Sequence, residues 1–331
     1  MINIYGGLWL ENLVAQDAHF ALQVQLFERG VIQGVQMRVA HPSFTPGVAA
    51  EDLSAICARL PSGMPVFIHF GAESCGVDFG ETLDECGVFE QRGGVAGGKK
   101  WSAWNAETIA WGKRVAGVTQ RPQGLPIGVV HAGYAHTEDL FADVSGARHR
   151  AADALRLYDD GAQIAVENVP AFVHCDWYDA LTGANYSWGR AHYWGIGGTP
   201  HDMGVTLAML GPRWRTLIDF THLFVTRNQA AHAWGPFRPQ LKAYFQEEEA
   251  AIERVVADTL ALPHWPICHF SGIPPTLMDA SDYMDAPVVE PIRDALRAME
   301  VVCLEMPWRA WSAERIVADF RQRYLESRGP Q

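Results

Sequence analysis

The stretch RTLIDF, residues 215–220, decides how this chain is read. It has the length of a strand and is almost continuously apolar, yet it closes on a carboxylate, Asp219, with His222 three positions on in LIDFTHLF (217–224). A strand apolar on both faces belongs inside a parallel sheet that is covered on each side. A carboxylate at its end needs a partner, because an unpaired buried charge costs several kcal/mol.

The same design recurs along the chain. INIYGG (2–7), GVQMRVA (34–40), PVFIHF (65–70), PIGVVHA (126–132), QIAVEN (163–168), PICHF (266–270) and VVCLEM (301–306) bring the strand candidates to eight. Amphipathic stretches between them read as helices over 17–30, 50–60, 106–118, 147–159, 241–260, 288–299 and 312–326, with Gly30, Gly161 and Gly329 placed as stops. Eight βα units close most naturally as a (β/α)₈ TIM barrel. The competing doubly wound sheet lacks its nucleotide fingerprint: GGVAGGKK (93–100) fits neither G-x-G-x-x-G nor a P-loop and follows no strand, so it reads as a loop or lid. Three connections are longer than minimal loops, near 71–105, 169–213 and 220–239. In a barrel all three leave the carboxyl face, where active sites are built, so the expectation is one domain over 1–331 with long loops on that face.

Bulk composition narrows the function classes. Hydrophobic residues at 48% fill a large core, and no apolar run reaches the roughly 18 residues of a membrane span. MINIYGGLWLENLV has no basic leader, so the expected setting is cytoplasmic with no membrane partner. Cysteines 57, 75, 86, 175, 268 and 303 show no short pairing, which suits reduced thiols rather than a disulfide framework. A net charge of −12 has the wrong sign for binding by phosphate neutralisation, and nucleic acid is not expected as a partner. Trp101, Trp104, Trp177, Trp188, Trp194, Trp234 and Trp308 fall in or beside loops; most read as packing, some as aromatic walls of a ligand pocket.

The informative signal is polar residues at strand ends. The third strand ends in His69, the fourth in His131, the fifth in Glu167, the sixth in Asp219 with His222 beyond, the seventh in His269 and the eighth in Glu305. A barrel converges these ends on one axis. Four imidazoles and three carboxylates in one volume suit one to three divalent metal ions, which keep adjacent carboxylates ionised and satisfy their lone pairs. His136 and His201 lie near loops and are candidates to touch substrate. His19, His41, His149, His174, His192, His232 and His264 have no such placement and read as surface or capping residues, and Lys99 and Lys100 as solvated.

VVHAG with His131, VEN with Glu167, the D-x-x-H of Asp219 and His222, the H-x-S of His269 and Ser271, and LEMP with Glu305 resemble the xylose-isomerase-like TIM-barrel superfamily. That superfamily includes sugar isomerases and epimerases and endonuclease IV. The resemblance implies a metal held by Glu167, Asp219, His269 and Glu305 in the isomerase and epimerase branch, with both glutamates moving protons. In the endonuclease IV branch, His69, His131 and His222 join as ligands, with a late D-x-H motif. Here Asp282 matches the aspartate of that motif but Met284 stands in place of its histidine, so the complete trinuclear set is not present.

Three chemistries fit the cluster. With one Mn²⁺- or Mg²⁺-like ion, Glu167 and Glu305 serve as base and acid in isomerisation, epimerisation or dehydration of a sugar-like or hydroxy-carbonyl substrate. With two or more ions of the zinc type bridged by Glu167, a hydrolase of a phosphodiester or related bond results, and iron in the same ligands suits oxygen chemistry. The first is the leading expectation, with a small-molecule substrate contacted by His136, Trp188, Trp194 and Trp308; the aromatic-rich loops are compatible with a homodimer.

Overall fold

The computed structural model describes residues 2–42, 45–70, 101–136, 143–159, 161–169, 172–174, 192–231, 252–271, 290–305 and 312–326. Eight parallel strands close into a barrel: β1 (Asn3–Trp9), β2 (Gly34–Val39), β3 (Val66–Phe70), β4 (Gly128–His131), β6 (Ile164–Glu167), β9 (Thr216–Asp219), β10 (His264–Phe270) and β11 (Val301–Leu304). Every barrel strand expected from the sequence is present. They follow one another around the barrel in chain order, and β11 pairs with β1 to close it.

Closure makes each strand two-sided, which is why its sequence is apolar almost throughout. Outward residues such as Ile4, Val35, Val66, Ile68, Val130, Ile164, Ile218, Cys268 and Val302 pack in the main core with helix residues such as Leu26, Val115, Leu155 and Leu296. Inward, Tyr5, Phe67, Val129, Ala165, Leu217, Ile267, Val301 and Cys303 form a separate apolar plug, with Leu125 and Trp265 against it. Gly34 makes room for the largest of these: a Cβ there would stand 2.7 Å from the Tyr5 ring. The plug seals the barrel beneath the carboxyl face.

The helices are α1 (Leu10–Ala15), α2 (Ala18–Glu28), α3 (Leu53–Cys57), α4 (Trp101–Val118), α5 (Val144–Tyr158), α6 (Pro200–Leu210), α7 (Phe220–Ala231), α8 (Ile252–Leu260), α9 (Glu290–Arg297) and α10 (Ala313–Phe320). Side-chain caps start several of them. Asp17 accepts from the amides of His19 and Phe20 at α2, and Thr199 accepts from Asp202 just before Pro200 at α6. Gly30 and Gly161 take φ of +68° and +83°, the left-handed conformation expected of helix stops; Gly329 lies outside the described residues. No helix among the described residues is long and apolar enough to cross a membrane.

The connections differ from the sequence reading. Within 169–213, β7 (Phe172–His174) and β8 (His192–Gly195) join β5 (Tyr134–His136) in a small antiparallel sheet, order β5-β8-β7, before α6 returns the chain. Strands of three or four residues leave too short an alternation to read. The stretch 220–239 opens as helix rather than loop: α7 starts at Phe220, directly behind β9, because the Asp219 carboxylate accepts the amide of His222 and caps it. Most of 71–105 lies outside the described residues, as does GGVAGGKK, and α4 begins within its end at Trp101.

Candidate metal centre

The side-chain period of a strand explains how this site is built. Two residues beyond six of the eight plug residues, the chain places a polar one on the same inward face: Phe67 then His69, Val129 then His131, Ala165 then Glu167, Leu217 then Asp219, Ile267 then His269, Cys303 then Glu305. The register aligns them, with His131 opposite Glu167 and Asp219 opposite His269. His69, Glu167, Asp219 and His269 are fully buried, and His131 and His222 nearly so.

Glu167 is the hub. Its Oε2 stands 3.3 Å from His69 Nε2 and 3.4 Å from His131 Nε2, while its Oε1 stands 2.9 Å from His269 Nδ1 and 3.6 Å from His222 Nδ1. Glu305 joins at 3.4 Å from His269 Nδ1. Donor atoms with bonds of about 2.1 Å to a shared ion lie roughly 3 Å apart, the spacing observed. Three overlapping groups have ligand atoms within 4.8 Å of one another: His69, His131 and Glu167; Glu167, Asp219, His269 and Glu305; and His69, His269 and Glu305. Glu167 belongs to two of them.

The electrostatics agree with a place for cations. Burial, the largest influence on Glu167, works to raise its pKa, yet His269 and His131 outweigh it and hold the carboxyl well below the usual range. Asp219 is pushed up to about 7, by burial first, with Glu167 and Glu305 adding to the rise against the pull of His222. Burial lowers His269, but Glu167 and Glu305 overcome it and raise the imidazole above its ordinary value. Oε2 of Glu167, Oδ2 of Asp219 and Nε2 of His269 are buried and complete no hydrogen bond among the described residues. Such buried lone pairs are costly without a partner, and a divalent ion is a partner that all three accept. The donor set therefore fits a metal.

His222 is a different case. Its Nδ1 lies 2.8 Å from the Asn168 carbonyl, which only accepts, so this nitrogen carries the proton and any metal contact runs through Nε2. His222 is in none of the three donor groups. It sits in the third helical position of α7 because Asp219 is that helix's cap, which is the physical content of the D-x-x-H spacing.

The sequence reading missed three residues here. Asn168 donates from Nδ2 to the Asp219 carbonyl at 2.9 Å and accepts the Asp219 amide at 2.7 Å, locking β6 to β9 at the site. On β2, Gln36 donates to Glu305 Oε1 at 2.6 Å and Arg38 Nη2 stands 3.0 Å from the same oxygen. The signal was available: Gln36 and Arg38 alternate in an apolar strand, the period of one inward face. His41, read as a surface or capping residue, is buried just past the end of β2, with Nε2 3.0 Å from Glu107 Oε2. His19 likewise is tied inward, Nε2 2.8 Å from the Gly7 carbonyl. His201 is exposed on the first turn of α6, while His149 and His264 contact nearby carbonyls of Ser145 and Leu262. Of the expected substrate contacts, His136 lies on β5 and Trp194 on β8; Trp188, Trp308 and the candidate ligand Asp282 lie outside the described residues.

No protein-family profile matches the sequence. No curated protein matches it either. Among solved structures, a candidate xylose isomerase from Rhodospirillum rubrum ATCC 11170 superposes with a TM-score of 0.53 at 12% identity, covering 98% of this chain and 97% of that one. D-psicose 3-epimerase from Clostridium cellulolyticum H10 gives 0.49 at 10% identity over 98% and 100%, and SacUVDE gives 0.47 at 10% identity over 97% and 99%. The Rhodospirillum rubrum structure supports the fold inferred from the eight strands, a TIM barrel.

Proposed function

We propose that this chain is a metal-dependent enzyme whose two donor groups sharing Glu167 would hold two divalent ions, and that it hydrolyses a phosphodiester or related bond in a small polar substrate. The observation that carries this reading is the setting of Glu167: fully buried, with imidazoles against both carboxylate oxygens. A carboxylate so enclosed is placed as a bridge and poorly placed as a base that must reach substrate. Its depressed pKa points the same way.

In this reading His69, His131 and Glu167 hold one ion, and Glu167, Asp219, His269 and Glu305 hold the other. Mixed imidazole and carboxylate donors suit zinc, manganese or iron. When bound, such ions supply Lewis acidity toward a substrate oxygen and lower the pKa of water. The chain supplies the rest. Asn168 fixes the tautomer of His222 and the position of Asp219, Gln36 holds Glu305, and the apolar plug keeps bulk water from entering beneath. The partner is a small molecule; the net charge of −12 argues against nucleic acid, and the expected setting is cytoplasmic.

One observation favours a second reading. Glu167, Asp219, His269 and Glu305 form a four-donor group without His69 or His131, enough for one ion and for isomerase, epimerase or lyase chemistry with Glu167 and Glu305 as base and acid. The two separate on activity. Protein loaded with zinc or manganese is expected to cleave bis(4-nitrophenyl) phosphate and to leave ketohexoses free of solvent deuterium. Deuterium uptake without phosphodiester cleavage would replace the first reading with the second.

A further inference from the structure

The small antiparallel sheet pairs two histidines outside the barrel. β5 begins three residues after His131 and β7 five residues after Glu167, so the sheet rises directly from two strands of the metal centre. β8 is its central strand, bonded along both edges. Against β7 it runs with Phe172 opposite Trp194, Val173 opposite Tyr193 and His174 opposite His192. Three consecutive pairs fix that register, and it brings together two histidines that the sequence reading left as surface or capping residues.

Residues directly opposite in an antiparallel pair share one face, with Cβ atoms about 5 Å apart. Two imidazoles rooted at that spacing can reach one ion, as two histidines one turn apart on a helix do. Two imidazolium rings so placed would repel, whereas two neutral rings offer lone pairs to a shared cation. The frame is firm. Where β8 ends, the Ile196 amide donates to the Gly133 carbonyl at 2.9 Å, and the Gly197 amide donates to Asp202 Oδ2 at 2.6 Å. Asp202 is buried, and its other oxygen is paired with Arg148 Nε of α5 at 2.5 Å. Donors on a strand pinned in this way lose little freedom when an ion binds.

We propose that His174 and His192 form a second, exchangeable metal site that takes a divalent transition-metal ion of the zinc, nickel or copper kind. Imidazole donors select such ions over magnesium and calcium. The site stands apart from the Glu167 centre and does not depend on how many ions that centre holds. Two histidines hold an ion more weakly than the larger donor groups around Glu167, so the ion at the pair comes off on desalting while the centre keeps its own.

Full-length protein is loaded with zinc, desalted and titrated calorimetrically with zinc chloride, as wild type, His174→Ala and His192→Ala, with retained zinc and far-UV circular dichroism measured on each. Wild type is expected to take up one further ion per chain. Each variant is expected to lose that event while its retained zinc stays at the wild-type level. Absence of the event in wild type overturns the proposal, as does its survival in either variant, since one histidine would then suffice. A fall in retained zinc also overturns it, because the histidines would then belong to the Glu167 centre. Where a variant fails to fold, modification of wild-type histidines by diethyl pyrocarbonate, read by peptide mass, decides. Excess zinc is expected to protect His174 and His192 together, and failure to protect both overturns the pair. Wild type that retains no zinc after desalting would refute the metal centre alone, and the same titration and variants would still test the pair.

Discussion

The two halves of the barrel interior use the same strands for opposite ends. In the lower layer Phe67, Val129, Ala165, Leu217, Ile267 and Cys303 close a dry plug, and two residues on His69, His131, Glu167, Asp219, His269 and Glu305 crowd together ionisable groups that no hydrophobic core would accept. Each layer is one pleat deep, so a shift of one side-chain period changes the inside from oil to ligand cage. The lower layer gains its stability from area removed from water. The upper layer gives up some of that stability, leaving buried donor atoms without a hydrogen bond among the described residues.

Exchanging character between the layers tests this contrast. The largest effect is expected for Ala165→Asp, which buries an unpaired carboxylate in the plug. It should cost roughly 3–5 kcal/mol or prevent folding, and added metal should not restore it. Chemical denaturation with and without zinc checks this; rescue by zinc would mean that the plug layer also accommodates ions. In the upper layer, Glu167→Gln should leave the barrel folded while metal affinity and turnover fall by about 100-fold or more. Calorimetric metal titration and far-UV circular dichroism read the two parts separately, and an unfolded variant would show that Glu167 serves the fold as well as the site.

Smaller effects sit between the layers. Asn168→Ala removes both side-chain bonds to Asp219 and is expected to weaken metal binding by about tenfold at an unchanged ion count. The pH dependence of the metal-free protein should be smaller still. Asp219, raised to about 7, and His269, raised above its ordinary value, both bind protons more tightly in the folded state. Stability from a raised group is full below its unfolded pKa and is lost as pH rises through the folded one, so the metal-free melting temperature should fall as pH rises from about 4 to 8, by about 1–2 °C for each kcal/mol lost. Glu167, held low, acts oppositely and only in the acid range. Saturating metal should remove this decline, and a metal-free melting temperature that rises over this interval would contradict the assignment.

Much of this contrast was legible in the sequence, because barrel strands carry both layers in one short word. VFIHF, GVVH, IAVE and TLID each spell a plug residue, an outward residue and a donor, and closure of eight such strands brings the donors together. What was not legible depended on geometry across strands. Asn168 was visible in VEN, but its bonds to a strand 51 positions away were not. Arg38 and Gln36 were passed over because strand-end residues were sought, and these two lie on a strand that ends in the apolar Val39. The helix at Phe220 was hidden because Asp219 acts both as cap and as donor, and a residue with two tasks is read for the louder one.

The central claim is that Glu167 bridges two donor groups, and a count of ions tests it most directly. Native mass spectrometry of zinc- or manganese-loaded protein should find two ions per chain in wild type and one in the His69→Ala/His131→Ala double variant, which keeps the Glu167, Asp219, His269 and Glu305 group. One ion per chain in both proteins would contradict the bridge and leave His69 and His131 outside the metal site.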